Sequence, residues 1–281
     1  MEQTPIRIGE IKFTNVWPIY FHFPKEKFAE EAEFITQVPA ELNRAMRKGE
    51  IDMGAISSFA FGQAENSYIL MPDLSVSAYG AVKSILFFHK RPLEELTHAR
   101  IALPTTSATS VHLLKIILKR FYGADPHYFY AAPDLDMMLK DADAALLIGD
   151  HAIQAKWKRP DLHVTDLGEL WKQWTGCWMT FAVWAIRKET VRKYPALVQR
   201  ILNAFLASKE KGMRNLKEIV DEAVRKLGGT ETYWHDYFSN LNFDFGPEQQ
   251  EGLSLYFRYA KELGYIRKPV ELQLLPKQEV I

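Results

Sequence analysis

The chain has 281 residues, 47% apolar, 25% charged and 13% aromatic, which is the composition of a folded protein and too rich in core formers for disorder. Lys and Arg number 35 and Asp and Glu 35, so the formal net charge is zero; the global attraction that phosphate-backbone binding needs is absent, and no nucleic-acid partner is expected. The single cysteine, Cys177, has no mate for an internal disulfide, and neither it nor the eight histidines fall at metal-ligand spacing.

Residues 1–5 carry neither a basic start nor an apolar core, and no run approaches the roughly 18 apolar residues of a membrane helix. The expectation is a cytoplasmic chain without a membrane partner, monomer or homodimer. At about 150 residues per domain, the length points to two units.

In chain order, residues 7–14 form a short β-like segment that the Asn-Val-Trp-Pro run at 15–18 breaks. Residues 34–38 are a second strand. Pro39 then suits the first turn of a helix whose Leu42, Ala45 and Met46 share one face and which Gly49 ends. A third strand, 51–56, runs into Ser57 and Ser58, either of which can cap the helix from about Phe59. The same grammar returns later: strand 100–103, the hydroxyl-rich loop Pro-Thr-Thr-Ser-Ala-Thr-Ser at 104–110, and helix 111–122 with Leu113, Leu114, Ile117, Leu118 and Phe121 on one side. Strand 127–131, a short helix 135–140, strand 144–148 and the Gly149-Asp150 junction follow. Thus 6–65 and 99–156 each spell β-α-β-α-β-α, which implies two small α/β lobes with mostly parallel sheets. The apolar segments 83–90 and 180–187 are expected as paired connections between the lobes, and from Glu189 onward the pattern is helical.

Ligands of open α/β sheets bind beyond the carboxyl ends of the strands, where loops and helix N-termini present free N–H groups. Those junctions hold Asn15, Ser57, Ser58, Thr105 to Ser110, Gly149 and Asp150, a neutral, hydroxylic set suited to a carboxylate. Ser57 or Ser58 could equally be a helix cap, and Asp150 could cap a helix starting at His151. The 105–110 loop has more hydroxyls than capping requires. Cys177 reads as an incidental thiol, and the tryptophans as packing residues. No GxGxxG, Walker A or GxSxG motif is present.

Seven segments in order carry a family pattern: Arg-Ile-Gly-Glu-Ile-Lys-Phe-Thr-Asn-Val-Trp-Pro at 7–18, Gly-Glu-Ile-Asp-Met-Gly-Ala-Ile-Ser-Ser at 49–58, Val-Lys-Ser-Ile-Leu-Phe-Phe at 82–88, Thr-Ser-Ala-Thr-Ser-Val-His-Leu-Leu-Lys at 106–115, Leu-Leu-Ile-Gly-Asp-His-Ala at 146–152, Asp-Leu-Gly-Glu at 166–169 and Phe-Ala-Val-Trp at 181–184. Together they resemble the chorismate dehydratase family. The resemblance implies a two-lobed α/β fold like the type II periplasmic binding proteins, with a ligand cleft between the lobes. Lobe 1 would be 1–90 with 180–281, and lobe 2 would be 91–179.

It also implies the chemistry: chorismate loses water to give 3-(1-carboxyvinyloxy)benzoate on the futalosine route to menaquinone, without metal or cofactor. By position, Asn15 and Ser84 match the family's active-site Asn and Ser. Ser84 and Asn15 are expected to hydrogen-bond the ring carboxylate or the enolpyruvyl group. Ser58, with Thr106, Ser107, Thr109 and Ser110, is expected to hold the other carboxylate beside Ser57 and Gly149. The proton acceptor is either the substrate's own carboxylate or Asp150. Competing readings are the 1,4-dihydroxy-6-naphthoate synthase of the same pathway and a non-catalytic small-carboxylate binding protein; for the latter an export signal is expected, and none is evident.

Overall fold

The computed structural model describes residues 5–276. Strands β1 (Ile6–Ile11), β2 (Ala32–Gln37), β3 (Met53–Ser57) and β4 (Tyr68–Ala78) precede β5 (Ile85–His89), β6 (Arg100–Pro104), β7 (His127–Ala131), β8 (Ala144–Ile148), β9 (His163–Asp166) and β10 (Met179–Arg187). They form two five-stranded sheets, of order β2-β1-β3-β10-β4 and β7-β6-β8-β5-β9. The helices are α1 (Trp17–Tyr20), α2 (Pro39–Lys48), α3 (Ser58–Gln63), α4 (Thr109–Phe121), α5 (Leu135–Lys140), α6 (Gly149–Lys158), α7 (Leu167–Thr175), α8 (Lys188–Lys193), α9 (Pro195–Arg214), α10 (Lys217–Leu227), α11 (Glu231–Asn240) and α12 (Pro247–Glu262).

The expected β-α-β-α-β grammar supplies the parallel half of each sheet, β2-β1-β3 and β7-β6-β8. The other half is antiparallel: β10 runs against β3 and β4, and β5 against β8 and β9. The sheets are therefore mixed rather than mostly parallel. Segments 83–90 and 180–187, expected as the connections between lobes, are instead mostly strands of the two sheets, β5 in the second and β10 in the first. Strand β5, residues 85–89, which the 1–90 boundary placed with the first lobe, lies in the second sheet. The chain passes between sheets at 79–84 and again between β9 and β10. After β10 it stays with the first sheet, α9 packing on α1 and β4 and α12 on α3 and β10.

Alternation explains why the second sheet's strands read as unbroken apolar runs. Phe87, Ile101, Leu103, Ala144 and Leu146 face the large core with α4, while Leu86, Phe88, Ala102, Ala145 and Leu147 face a smaller core with Leu135, Met138 and Ala152 of α5 and α6. In the first sheet β1 and β3 touch at Gly9 and Gly54. Gly54 has φ +138°, and a Cβ there would lie 2.3 Å from the Gly9 carbonyl oxygen. That approach pairs the middle of β1 with the start of β3.

Candidate active site

The two lobes meet at their strand ends. After β1 the chain enters a 3-10 turn, Thr14–Val16. Thr14 is fully buried; its hydroxyl donates to Asp150 Oδ1 at 2.6 Å and its N–H to the same oxygen at 3.3 Å. Asp150 does not cap a helix starting at His151. Helix α6 begins at Gly149, Ile148 holds the cap position without a side-chain bond, and the Asp150 carboxylate reaches across to the other lobe instead. Burial pushes the Asp150 carboxyl up from its ordinary range, and the Thr14 hydroxyl and N–H offset part of that rise. Gly149 is required here: its φ is +59°, and a Cβ would lie 2.7 Å from the Phe13 ring.

Ser84 joins the same seam. The Gly149 N–H donates to the Ser84 carbonyl at 2.7 Å. The buried Ser84 Oγ accepts from the Tyr237 hydroxyl at 3.0 Å and donates to the Val82 carbonyl at 3.3 Å. Tyr237 is on α11, fully buried, and burial raises its phenol far above the ordinary value, so it remains a neutral donor. The loop carrying Ser84 is fixed from behind by Asp166. One carboxylate oxygen takes the Val82, Gly168 and Glu169 N–H groups at 3.1, 2.9 and 3.2 Å, and the other takes the Lys83 N–H at 2.6 Å. Lys83 sits at φ +61°, a conformation that a non-glycine residue holds only when its surroundings impose it. Asp166 thus caps α7 and shapes the Val-Lys-Ser turn together, and Gly168 lets α7 reach it: a Cβ there would be 2.4 Å from the Gly80 carbonyl oxygen.

The second group of predicted residues lies along the same seam. Ser57 is a helix cap: its Oγ accepts from the Ala60 N–H at 3.2 Å and from Asn43 Nδ2 at 2.9 Å. Ser58 is fully buried and its hydroxyl donates to the Thr180 carbonyl at 2.7 Å, so that proton is already used. Thr109 Oγ1 accepts from the Phe59 N–H at 3.0 Å, and its carbonyl from the Tyr256 hydroxyl at 3.2 Å, tying the start of α4 to the first lobe. Ser107 stands half-buried in the loop and Ser110 buried in the first turn of α4, whose leading N–H groups have no acceptor within the helix. The Thr106 carbonyl accepts from the Ala40 N–H of α2 at 3.2 Å.

Three buried polar atoms at these strand ends have no hydrogen-bond partner among the described residues: Asn15 Oδ1 after β1, Gln37 Oε1 at the end of β2 and Thr106 Oγ1 after β6. Buried polar atoms are nearly always satisfied, so three orphans at strand ends make this seam the candidate site for a polar ligand. Thr14, Gln37, Tyr237 and Asp166 were not among the predicted site residues. Thr14 and Gln37 carried the positional signal, each standing at a strand end; Tyr237 carried none. Among the described residues no three His, Cys, Asp or Glu side chains group to hold a metal ion, and no helix is long and apolar enough to cross a membrane.

Comparison with known proteins gives the family and the fold. The menaquinone biosynthesis family matches residues 6–262. A chorismate dehydratase of Thermus thermophilus is 34% identical over 275 residues, covering 92% of this chain and 96% of that one. A 1,4-dihydroxy-6-naphthoate synthase of the same organism is 24% identical over 232 residues, covering 79% and 81%. Among solved structures, a protein of Archaeoglobus fulgidus superposes with a TM-score of 0.73 at 18% identity over 93% of this chain and 98% of its own. The periplasmic aliphatic sulphonate binding protein of Escherichia coli superposes at 0.69 and 14% identity over 99% and 96%, so the fold is the two-lobed periplasmic-binding-protein type. The match across residues 6–262 and the 34% identity over nearly the full length of both chains settle the membership: the chain belongs to the menaquinone biosynthesis family.

Proposed function

We propose that this chain is a chorismate dehydratase, converting chorismate to 3-(1-carboxyvinyloxy)benzoate and water. The observation that carries the reading is the 34% identity to a chorismate dehydratase over 92% of the chain, against 24% over 79% for the naphthoate synthase. The site chemistry agrees with it. In chorismate the ring hydroxyl and the hydrogen on the neighbouring ether-bearing carbon leave as water, and the ring becomes aromatic. Much of the driving force is therefore in the substrate. The protein has to hold two carboxylates, align the departing groups and exclude water.

Asn15 and Ser84 are the residues we assign to the reacting half: Asn15 has an unfilled amide oxygen that can accept from the substrate, and Ser84 can turn its hydroxyl to the substrate from the Val82 carbonyl, 3.3 Å away. Thr106, Ser107 and Ser110, with the free N–H groups at the start of α4, take the other carboxylate. Ser57, Ser58 and Thr109, whose hydroxyls are bonded within the protein, shape that wall. Asp150 and Gly149 close the seam over the substrate. Asp150 Oδ1 is held by Thr14, which leaves Oδ2 as the one protein-borne carboxylate oxygen of the cluster able to take the proton; the substrate's own carboxylate is the other acceptor. We assign the lobe boundary to the crossings at 79–84 and between β9 and β10, with the ligand between the lobes.

Two variants test the assignment. Ser84→Ala is expected to lower kcat by about 10²–10³, as losing a donor to developing charge does. Asp150→Asn separates the two proton acceptors: turnover lost with chorismate binding retained assigns the proton to Asp150, and turnover retained assigns it to the substrate.

A further inference from the structure

One sizeable cavity does not surround Asn15, Ser84 and Asp150. It has a volume of about 730 Å³ and runs along the outside of the first lobe, from Ala40 and Ala108 at the lobe seam to Arg47 and Tyr68. Ala40, Asn43 and Arg47 lie three and four residues apart on one face of α2, so a single helix face walls it from end to end.

Its inner end touches the binding wall directly. Asn43 bonds Ser57, the Ala60 N–H is the one Ser57 caps, and the Ala40 N–H binds the Thr106 carbonyl across the lobes. Its outer end is cationic. Arg47, Arg267 and Lys268 line it, none of them in an ion pair with another described residue, against one acid in the lining, Glu65. Arg47 suits the last turn of α2 through the helix dipole, but Arg267 and Lys268 follow α12 and have no such reason to be there.

The sheet orders say which side of the cleft this is. Both crossings join the β4/β10 edge of one sheet to the β5/β9 edge of the other, so the cleft hinges there. Strands β2, β6 and β7 stand at the opposite edges, and the Ala40 to Thr106 hydrogen bond spans the lobes between the segments that follow β2 and β6. The cavity therefore lies on the side of the cleft away from the crossings, beside the Ala40–Thr106 backbone bond, which together with the Phe59–Thr109 and Tyr256–Thr109 bonds holds the lobes there.

We propose that this cavity is the access vestibule for a dicarboxylate substrate, with Arg47, Arg267 and Lys268 as a cationic collar that draws the dianion toward the Ala40–Thr106 latch. A cavity of this size takes a small organic acid with its water. An unpaired positive cluster at a low-dielectric opening raises the encounter rate of an anion without touching the reacting atoms. The inference rests on the dehydratase reading for the identity of the dicarboxylate.

The test is chorismate association by stopped flow in Ser84→Ala protein, and kcat and kcat/KM in otherwise unaltered enzyme, each with and without Arg47→Glu, Arg267→Glu and Lys268→Glu combined. At low ionic strength the triple reversal is expected to slow association and lower kcat/KM by at least about tenfold. The kcat should stay unchanged, and the gap should close as salt screens the collar over about 3 Å near 1 M. The neutral set Arg47→Gln, Arg267→Gln and Lys268→Gln should fall between. Unchanged association and unchanged salt dependence in the reversed enzyme, while the parent turns over chorismate, would overturn the vestibule alone. A change in kcat without one in association would also overturn it, marking the cavity as an effector site. A parent enzyme that neither binds nor converts chorismate removes the dehydratase reading, and the vestibule with it.

Discussion

Asp150 sits where its charge is costly. A carboxyl whose folded value lies above its unfolded one favours the fold in its protonated form, so its stabilising contribution is present at low pH and lost as pH rises through the folded value. Asp150→Asn is therefore expected to raise the Tm at neutral pH, with the difference from the parent vanishing below the ordinary carboxylate range; thermal melts across pH read it. A parent more stable than the variant at neutral pH would mean that the Thr14 bond outweighs burial. Tyr237 acts through Ser84. Tyr237→Phe leaves Ser84 Oγ without its donor, and we expect a loss of about 1 kcal/mol in urea unfolding and roughly tenfold or more in kcat with KM little changed. A merely structural tyrosine would leave kcat alone. These partners lie 136 and 153 residues from the groups they hold, which is why Thr14 and Tyr237 were not legible from local pattern, while Asn15 and Asp150 were legible by standing at strand ends.

Among elements, the α3–α4 seam holds a partly buried histidine. His112 on α4 stacks on Phe59 of α3 at 3.5 Å between ring centroids, and its Nδ1 meets the Ala108 carbonyl at 2.9 Å. Burial holds its pKa down at about 4, against an ordinary 6.5. In the unfolded chain it takes a proton first, so stability present above pH 6.5 is lost as pH falls toward 4, a loss on the order of 3 kcal/mol at one unit per 1.36 kcal/mol. His112→Gln should flatten that acid limb in denaturant titrations. An unchanged slope would show that the ring is free to leave the seam. Gly168→Ala forces the start of α7 off the Gly80 carbonyl and is expected to lower activity through the Ser84 turn, with a lower Tm.

The helices α2 and α4 were readable from period and stop residues. Strand β4 was not, because Pro72 and Asp73 interrupt it; its pairing with β10 jumps from Ser75 to Leu70 across that break, and Asp73 adopts φ +56°. Strand direction was not readable either, since apolar runs buried on both faces look the same in parallel and antiparallel sheets.

At the scale of the whole molecule the two lobes are drawn together by bonds between residues far apart in sequence: Thr14 to Asp150, Ala40 to Thr106, Phe59 to Thr109 and Tyr237 to Ser84. The duplicated sequence grammar foretold two lobes, and the family resemblance implied the cleft between them. It did not place the crossings, because β5 reads like any buried strand and only its pairing with β8 and β9 reveals its sheet. The central claim is that this cleft performs an elimination and does not merely hold an acid. The most direct measurement mixes the purified protein with chorismate and separates the products by mass. The account requires a species lighter by one water, formed by the parent and lost in folded Ser84→Ala and Asn15→Ala proteins. Chorismate bound saturably and recovered unchanged would contradict it and leave a carboxylate-binding protein on an enzyme's fold.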